Sequence, residues 1–168
     1  MINIEFGAGE TPARDDYKKC DVRDVPGIDY VCNAWDIDKH VEPDSVTNIF
    51  SRHFFEHLTF SQGKAYLESC YKILEPGGCF EMIIPNFVWH VRQWLTEENV
   101  MNFNVEDPFQ RGMDGLWGKQ RGSISEVWDV HKAGYKQWQI VDILESAGFK
   151  DIDWPEAKVK EWHVRAWK

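Results

Sequence analysis

Apolar residues in the first half of the chain fall in short runs separated by turn formers. INIEF (2–6) leads straight into GAGETP. With YKKCDV (17–22), DYVCN (29–33) and VTNIFS (46–51) it reads as one of four strands. After Gln62, the residues Tyr66, Leu67, Cys70, Tyr71 and Leu74 recur at three- and four-residue spacing. That predicts an amphipathic helix, stopped by Pro76-Gly77-Gly78. CFEMIIP (79–85) follows as a fifth strand, almost continuous in apolar residues, as expected of a strand covered on both faces. Residues 86–134 lose this rhythm and are rich in Trp, Asn, Gly and Asp, with one or two helices expected near 88–103. In QWQIVDILESAG (137–148), Trp138, Ile140, Val141 and Leu144 make an apolar stripe, and Gly148 stops the helix. FKDIDW (149–154) and KEWHVRAWK (160–168), separated by Pro155, are close enough to pair as a hairpin.

Strands alternating with helices, then a closing hairpin, predict an open α/β sheet. The expected organisation is a single domain over 1–168 with an irregular insert at about 86–134. Ligands of such sheets bind beyond the carboxyl ends of the strands. That directs attention to Gly7–Thr11, Asp21, Asn33–Asp36, Ser51–His57 and Pro85–Asn86.

Composition narrows the function classes. The 168 residues, 43% hydrophobic, suffice for one packed core. A net charge of −9 argues against a nucleic-acid binder. Arg111, Lys119, Arg121, Lys132 and Lys136 gather in one stretch, read as a solvated loop of mixed charge. MINIEF carries no basic leader, and no run approaches the roughly 20 apolar residues of a membrane span, so a soluble, cytoplasmic protein without a membrane partner is expected. Cys20, Cys32, Cys70 and Cys79 form no C-x-x-C pair, so neither a zinc-thiolate site nor a disulfide framework is expected.

Gly7-Ala8-Gly9 follows the first strand, where two glycines let backbone approach a ligand closely. The dinucleotide pattern needs a third glycine at residue 12, but Pro12 stands there, and the second strand begins too soon for a pyrophosphate-binding helix. A nucleoside needs less: a glycine turn, an acid for the ribose and an apolar slot for the base. Asp21, ending the strand beside the glycine turn, can accept both ribose hydroxyls. Asn33 or Asp36, after the third strand, can meet an exocyclic amine, although both residue types also favour turns.

Taken in order, INIEFGAGETP, KKCDV, the Asp36–Ser45 stretch, SRHFFEHL, ILEPGGCFEMIIPN and LESAGFKDI resemble the class I S-adenosylmethionine-dependent methyltransferases. The resemblance covers residues 2–86 well and 131–154 loosely. It implies a Rossmann-like, mostly parallel sheet with an antiparallel C-terminal hairpin, S-adenosyl-L-methionine as cofactor, and methyl transfer to a small-molecule or glycan-like acceptor. By position, Glu5, Gly7, Ala8 and Gly9 match the motif around the methionine moiety, and Asp21 matches the ribose acid. Asp36 or Asn33 matches the acid near adenine. Ser51, Arg52 and His53 match the segment bordering sulfur and acceptor. Two departures stand out. The 10–16 segment allows at most a turn where the family has a full first helix, and no helices that often cap the substrate precede the first strand. Either a partner subunit, in a homo-oligomer, or the 86–134 insert is then expected to close the site.

SRHFFEHL also contains His53-x-x-Glu56-His57, the spacing of an inverted zinc-peptidase motif. That chemistry requires both imidazoles on one continuous helix. Here a strand pattern precedes His53, and a new helix starts just after Ser61, which looks like its cap. The methyltransferase resemblance accounts for Glu56-His57-Leu58 without metal, so no metal ligands are assigned, and a zinc hydrolase remains the alternative. A cofactor-binding module without turnover is the other. An oxygen or nitrogen acceptor can need a base to take its proton. His53, His90 and His131 are the candidates, with His53 and His131 preferred.

Overall fold

A computed structural model describes residues 1–95, 114–118, 129–155 and 158–168. Its organising feature is a seven-stranded sheet of order β3-β2-β1-β4-β5-β7-β6. The strands are β1 (Ile2–Phe6), β2 (Lys18–Asp21), β3 (Tyr30–Val31), β4 (Val46–Arg52), β5 (Leu74–Pro85), β6 (Lys150–Asp153) and β7 (Glu161–Trp167). β1 pairs in parallel with β2 and β4, β2 with β3, and β4 with β5. β7 runs antiparallel to both β5 and β6, so the predicted hairpin forms and inserts its second strand beside β5. This is the expected α/β sheet, mostly parallel with an antiparallel C-terminal pair.

The helices include α1 (Phe60–Ile73), α2 (Phe87–Leu95) and α3 (Gln137–Ser146), with a short helical stretch at 114–117 and 3-10 turns at Ala34–Lys39 and Phe55–His57. α1 starts two residues before the expected Gln62. Thr59, not Ser61, is its cap: the Thr59 hydroxyl accepts from the Gln62 N–H, and the Gln62 side chain accepts from the Thr59 N–H. The helix ends at Ile73, one residue short of the expected stripe. Leu74 is extended, fully buried and paired with Val46, so it belongs to β5. The Pro76-Gly77-Gly78 turn therefore lies within that strand as an irregularity and does not terminate the helix directly. As expected, residues 7–17 hold no helix, only turns and bends. The expected helix near 88–103 is α2 as far as Leu95, and residues 96–103 lie outside the described residues. So do Arg111, Lys119 and Arg121 of the basic stretch.

One sheet face carries the core. Ile4, Phe6, Ile49, Phe80, Met82, Val164 and Ala166 meet Tyr66, Leu67, Cys70 and Ile73 of α1 and Ile140 and Leu144 of α3. Tyr66 is fully buried against the rings of Phe6, Phe54 and Phe80 in edge-to-face contacts. The opposite face carries polar networks. Asn3 bonds Asn48, and Glu81 gathers His163, Arg165 and Arg14. The Arg14 guanidinium lies 4.6 Å from the Phe50 ring centre. Among the described residues, β5 packs into the apolar core on one face only, where cover on both was expected. Its side chains alternate, Phe80, Met82 and Ile84 facing in and Glu81 joining the polar network. No helix among the described residues is long and apolar enough to cross a membrane.

Candidate functional site

The carboxyl ends of β1, β2, β3 and β4 converge on a cleft of about 340 Å³, within the size range of small-ligand sites. Gly7 and Gly9 both take left-handed backbone angles, φ +66° and +53°, which the turn out of β1 requires and which glycine adopts without strain. Gly7 lines the cleft. Asp21, at the end of β2, also lines it and is 7% exposed. Its carboxylate accepts the Gly9 N–H at 3.0 Å, tying the second strand to the glycine turn. It also accepts the Arg23 N–H at 2.9 Å and the Arg23 guanidinium at 3.1 and 3.2 Å. Burial pushes the Asp21 carboxyl up, but the hydrogen bonds and charge of Arg23 and the Gly9 N–H outweigh it and hold the group below the ordinary aspartate range.

The glycines are covered by side chains. A Cβ on Gly7 would meet the Phe54 ring at 2.5 Å, and one on Gly9 would meet Arg23 Nη2 at 2.7 Å. Both covering residues line the cleft themselves. The Arg23 side chain is 42% exposed, so displacing it costs little packing.

At the β3 end the cleft is bordered by Cys32, Asn33, Ala34 and Trp35. Asn33 Nδ2 donates to Asp36 Oδ2 at 3.1 Å, and Asp36 also pairs with Lys39. Of the two candidates for the base-binding polar group, Asn33 faces the cleft. Asp36 braces the 3-10 turn behind it. Ala8 is buried in the glycine turn without lining the cleft. Glu5 is also buried and sits outside it. Its two oxygens accept the Ala13 and Arg14 N–H groups, both at 2.8 Å, and so fix the coil that replaces a first helix. Ser51 is buried beneath the site, and Arg52 is exposed; neither lines the cleft.

At the β4 end, His53 lines the cleft with φ +50°, a conformation a non-glycine residue holds only when its surroundings impose it. Its N–H donates to the Ile83 carbonyl of β5. Its ring lies 3.5 Å from Glu56 and 3.1 Å from Glu161, and the Glu56 carboxylate first, then Glu161, raises its pKa against the opposing effect of burial. His57, in the short turn that follows, lines the cleft and bonds the Val130 carbonyl at 3.1 Å. His131 lies behind His57 and does not line the cleft. Burial lowers its pKa despite the nearby Glu56. His90 is likewise lowered by burial. The segment carrying His131 is held because the Glu56 carbonyl accepts the Lys132 and Ala133 N–H groups.

The structure brings Gly7, Asp21, Asn33 and His53 together at the cleft. It adds Arg23, Phe54, Gln62, Asp129 and Lys132, none of which the sequence reading assigned to the site. Lys132 carried a signal, since it adjoins His131 in DVHKAGY. Phe54 carried one too, lying within the flagged Ser51–His57 stretch, whereas Arg23 carried none because its role depends on side-chain direction. Residues 53–57 form a strand exit and a three-residue 3-10 turn, so the continuous helix that an H-x-x-E-H peptidase site needs is absent there.

This strand order, with a cleft at the parallel strands' carboxyl ends, is the fold seen in class I S-adenosylmethionine-dependent methyltransferases. Solved structures of that class superpose on the chain. A SAM-dependent methyltransferase from Archaeoglobus fulgidus matches with TM-score 0.64 and 13% identity over 99% of this chain and 85% of that one. A possible histamine N-methyltransferase from Thermotoga maritima matches with TM-score 0.63 and 12% identity, covering 99% and 82%. The Burkholderia thailandensis 1,6-didemethyltoxoflavin-N1-methyltransferase, holding its substrate and S-adenosylhomocysteine, matches with TM-score 0.60 and 12% identity, covering 99% and 70%. Other neighbours are longer: the chain spans 46% of the citrinin polyketide synthase CMeT domain structure. No protein-family model matches the sequence, and no curated protein matches it.

Proposed function

We propose that the cleft binds S-adenosyl-L-methionine and that the protein transfers its methyl group to a small-molecule or glycan-like acceptor. The observation that carries this reading is Asp21: a buried carboxylate, hydrogen-bonded to the Gly9 N–H and lining the cleft at the end of the second strand. Such a group suits two vicinal hydroxyls, provided the exposed Arg23 side chain swings away. The sulfonium supplies the methyl group for an in-line displacement, and the protein's part is alignment and exclusion of water.

The chain's own residues divide the work. Asp21 accepts the ribose hydroxyls, while Asn33, Ala34 and Trp35 border the base. Phe54 lies over Gly7, where it must yield to the methionine arm. His53, which lines the cleft beside Glu56 and Glu161, is the candidate base for an acceptor proton, once one of its nitrogens turns from its carboxylate. Calorimetry with S-adenosylhomocysteine tests the binding step: saturable one-to-one binding is expected, and its absence in the folded protein ends the reading. A module that binds cofactor without turnover is the second reading, favoured by the coil at residues 7–17 in place of a helix. Binding without methyl transfer to a broad acceptor panel supports it.

A further inference from the structure

Glu56 is 4% exposed, and neither of its carboxylate oxygens has a hydrogen-bond partner among the described residues. Burying a carboxylate without a hydrogen bond is costly, and the groups nearest to offset it are histidines. His53 Nδ1 is 3.5 Å and His131 Nε2 3.9 Å from Glu56 Oε1, both beyond the usual range for hydrogen bonds. The His57 and His131 rings meet edge to face with centres 4.9 Å apart.

The two rings are also oriented. His57 Nδ1 lies 3.1 Å from the Val130 carbonyl oxygen. A carbonyl only accepts, so that nitrogen carries the proton and Nε2 keeps a free lone pair. The backbone of Gly115 also lies close enough to the His131 ring to favour its protonated form. A histidine whose far nitrogen is pinned to a carbonyl is the arrangement found around metal-binding imidazoles. One ligand atom from each of Glu56, His57 and His131 falls within 4.8 Å of the other two.

We propose that Glu56, His57 and His131 form a binding site for a divalent transition-metal ion. Two imidazole nitrogens and one carboxylate suit zinc or ferrous iron, whereas magnesium and calcium prefer all-oxygen shells. Tetrahedral bonds of roughly 2.0–2.1 Å put ligand atoms about 3.4 Å apart, so Glu56 and His131 would close by about half an ångström from 3.9 Å, and the widest pair, within 4.8 Å, by up to about 1.4 Å. This set is not the H-x-x-E-H arrangement: Glu56 is a ligand here, His53 is not, and His131 comes from a segment more than seventy residues away. The ion would cross-link the turn after β4 to the 129–136 segment, reinforcing the two backbone hydrogen bonds at the Glu56 carbonyl. Because His57 lines the cleft, the ion would sit at its margin, where a remaining coordination position can take water or an oxygen of the acceptor. The site stands independently of cofactor binding.

The test uses the full chain, stripped with a chelator and titrated with Zn²⁺ by calorimetry and with Co²⁺ by visible absorption. Wild type and His163→Ala, altered on the polar sheet face, should bind one ion per chain and melt at a higher temperature with it. Glu56→Gln and His131→Ala should lose more than the roughly 10–100-fold in affinity that outer-shell changes cost, and with it the metal-dependent rise in melting temperature. His57→Ala makes the same test should either variant fail to fold. Wild type without stoichiometric binding overturns the proposal, as do folded ligand variants that bind like wild type or a cobalt spectrum showing thiolate ligation. Calorimetry with S-adenosylhomocysteine on the same samples keeps the fate of the cofactor reading separate.

Discussion

Replacing Asp21 with asparagine separates the charge of this side chain from its shape. Asparagine keeps an oxygen that can still accept the Gly9 N–H now bonded at 3.0 Å, so the glycine turn should survive. The proposed hold of the carboxylate on two ribose hydroxyls would be lost. Hydrogen bonds to a charged group are worth about 1.5–3 kcal/mol, so S-adenosylhomocysteine should bind roughly 10- to 100-fold more weakly. Arg23 moderates the loss. In the free protein it pairs with Asp21 and must be displaced, but a partly exposed ion pair contributes only about 0–1 kcal/mol.

The same variant has a pH signature. The Asp21 carboxyl is held below its ordinary value of 3.8 in the folded chain. Its contribution to stability is therefore complete above pH 3.8 and fades as pH falls from there through the depressed folded value. Asp21→Asn should flatten that part of the acid-denaturation curve. Calorimetry checks the affinity, and thermal or urea melts from pH 5 to 2 check the linkage. A well-folded Asp21→Asn protein that binds S-adenosylhomocysteine as tightly as wild type would refute the ribose assignment.

Arg23→Ala should leave cofactor-analogue affinity unchanged or tighten it by up to about fivefold, because the competing ion pair is worth at most about 1 kcal/mol; weaker binding in calorimetry would mean that Arg23 holds the ligand and does not block it. Thr59→Ala removes the hydroxyl that caps α1 and should cost about 1 kcal/mol in urea unfolding, and no loss would contradict the capping box. Phe80→Ala, at a fully buried position between Tyr66 and Phe149, should cost about 3–5 kcal/mol or abolish folding, and a loss below about 1 kcal/mol would deny it a place in the central core.

Particular residues show why the sequence was informative to different depths. Ile2, Ile4 and Phe6 alternate with Asn3 and Glu5, and the structure turns the two sets to opposite faces. The same pattern held the warning that one face is polar, but the nearly unbroken run CFEMIIP concealed it. Glu81 was the one charged residue there that marked the polar side. Gly7, Gly9 and Asp21 were legible as a site because each closes a strand, and parallel strands place their carboxyl ends side by side. Glu5 and Asp36 occupied matching positions along the chain, but their oxygens are engaged by the backbone at Ala13 and Arg14 and by Asn33 and Lys39.

By itself, then, the sequence determined the elements, the α/β class and the edge of the sheet where the cleft opens. These follow from the period of apolar residues and from the few residue types that tolerate a turn, both local properties of the chain. Tertiary structure alone decided that Phe54 and Arg23 lie over the glycines. It alone carried His131 to a carboxylate buried after the fourth strand, and left one sheet face to a network of charges. Those outcomes depend on which side chains, distant in sequence, compete for the same few cubic ångströms, and no local pattern encodes that competition.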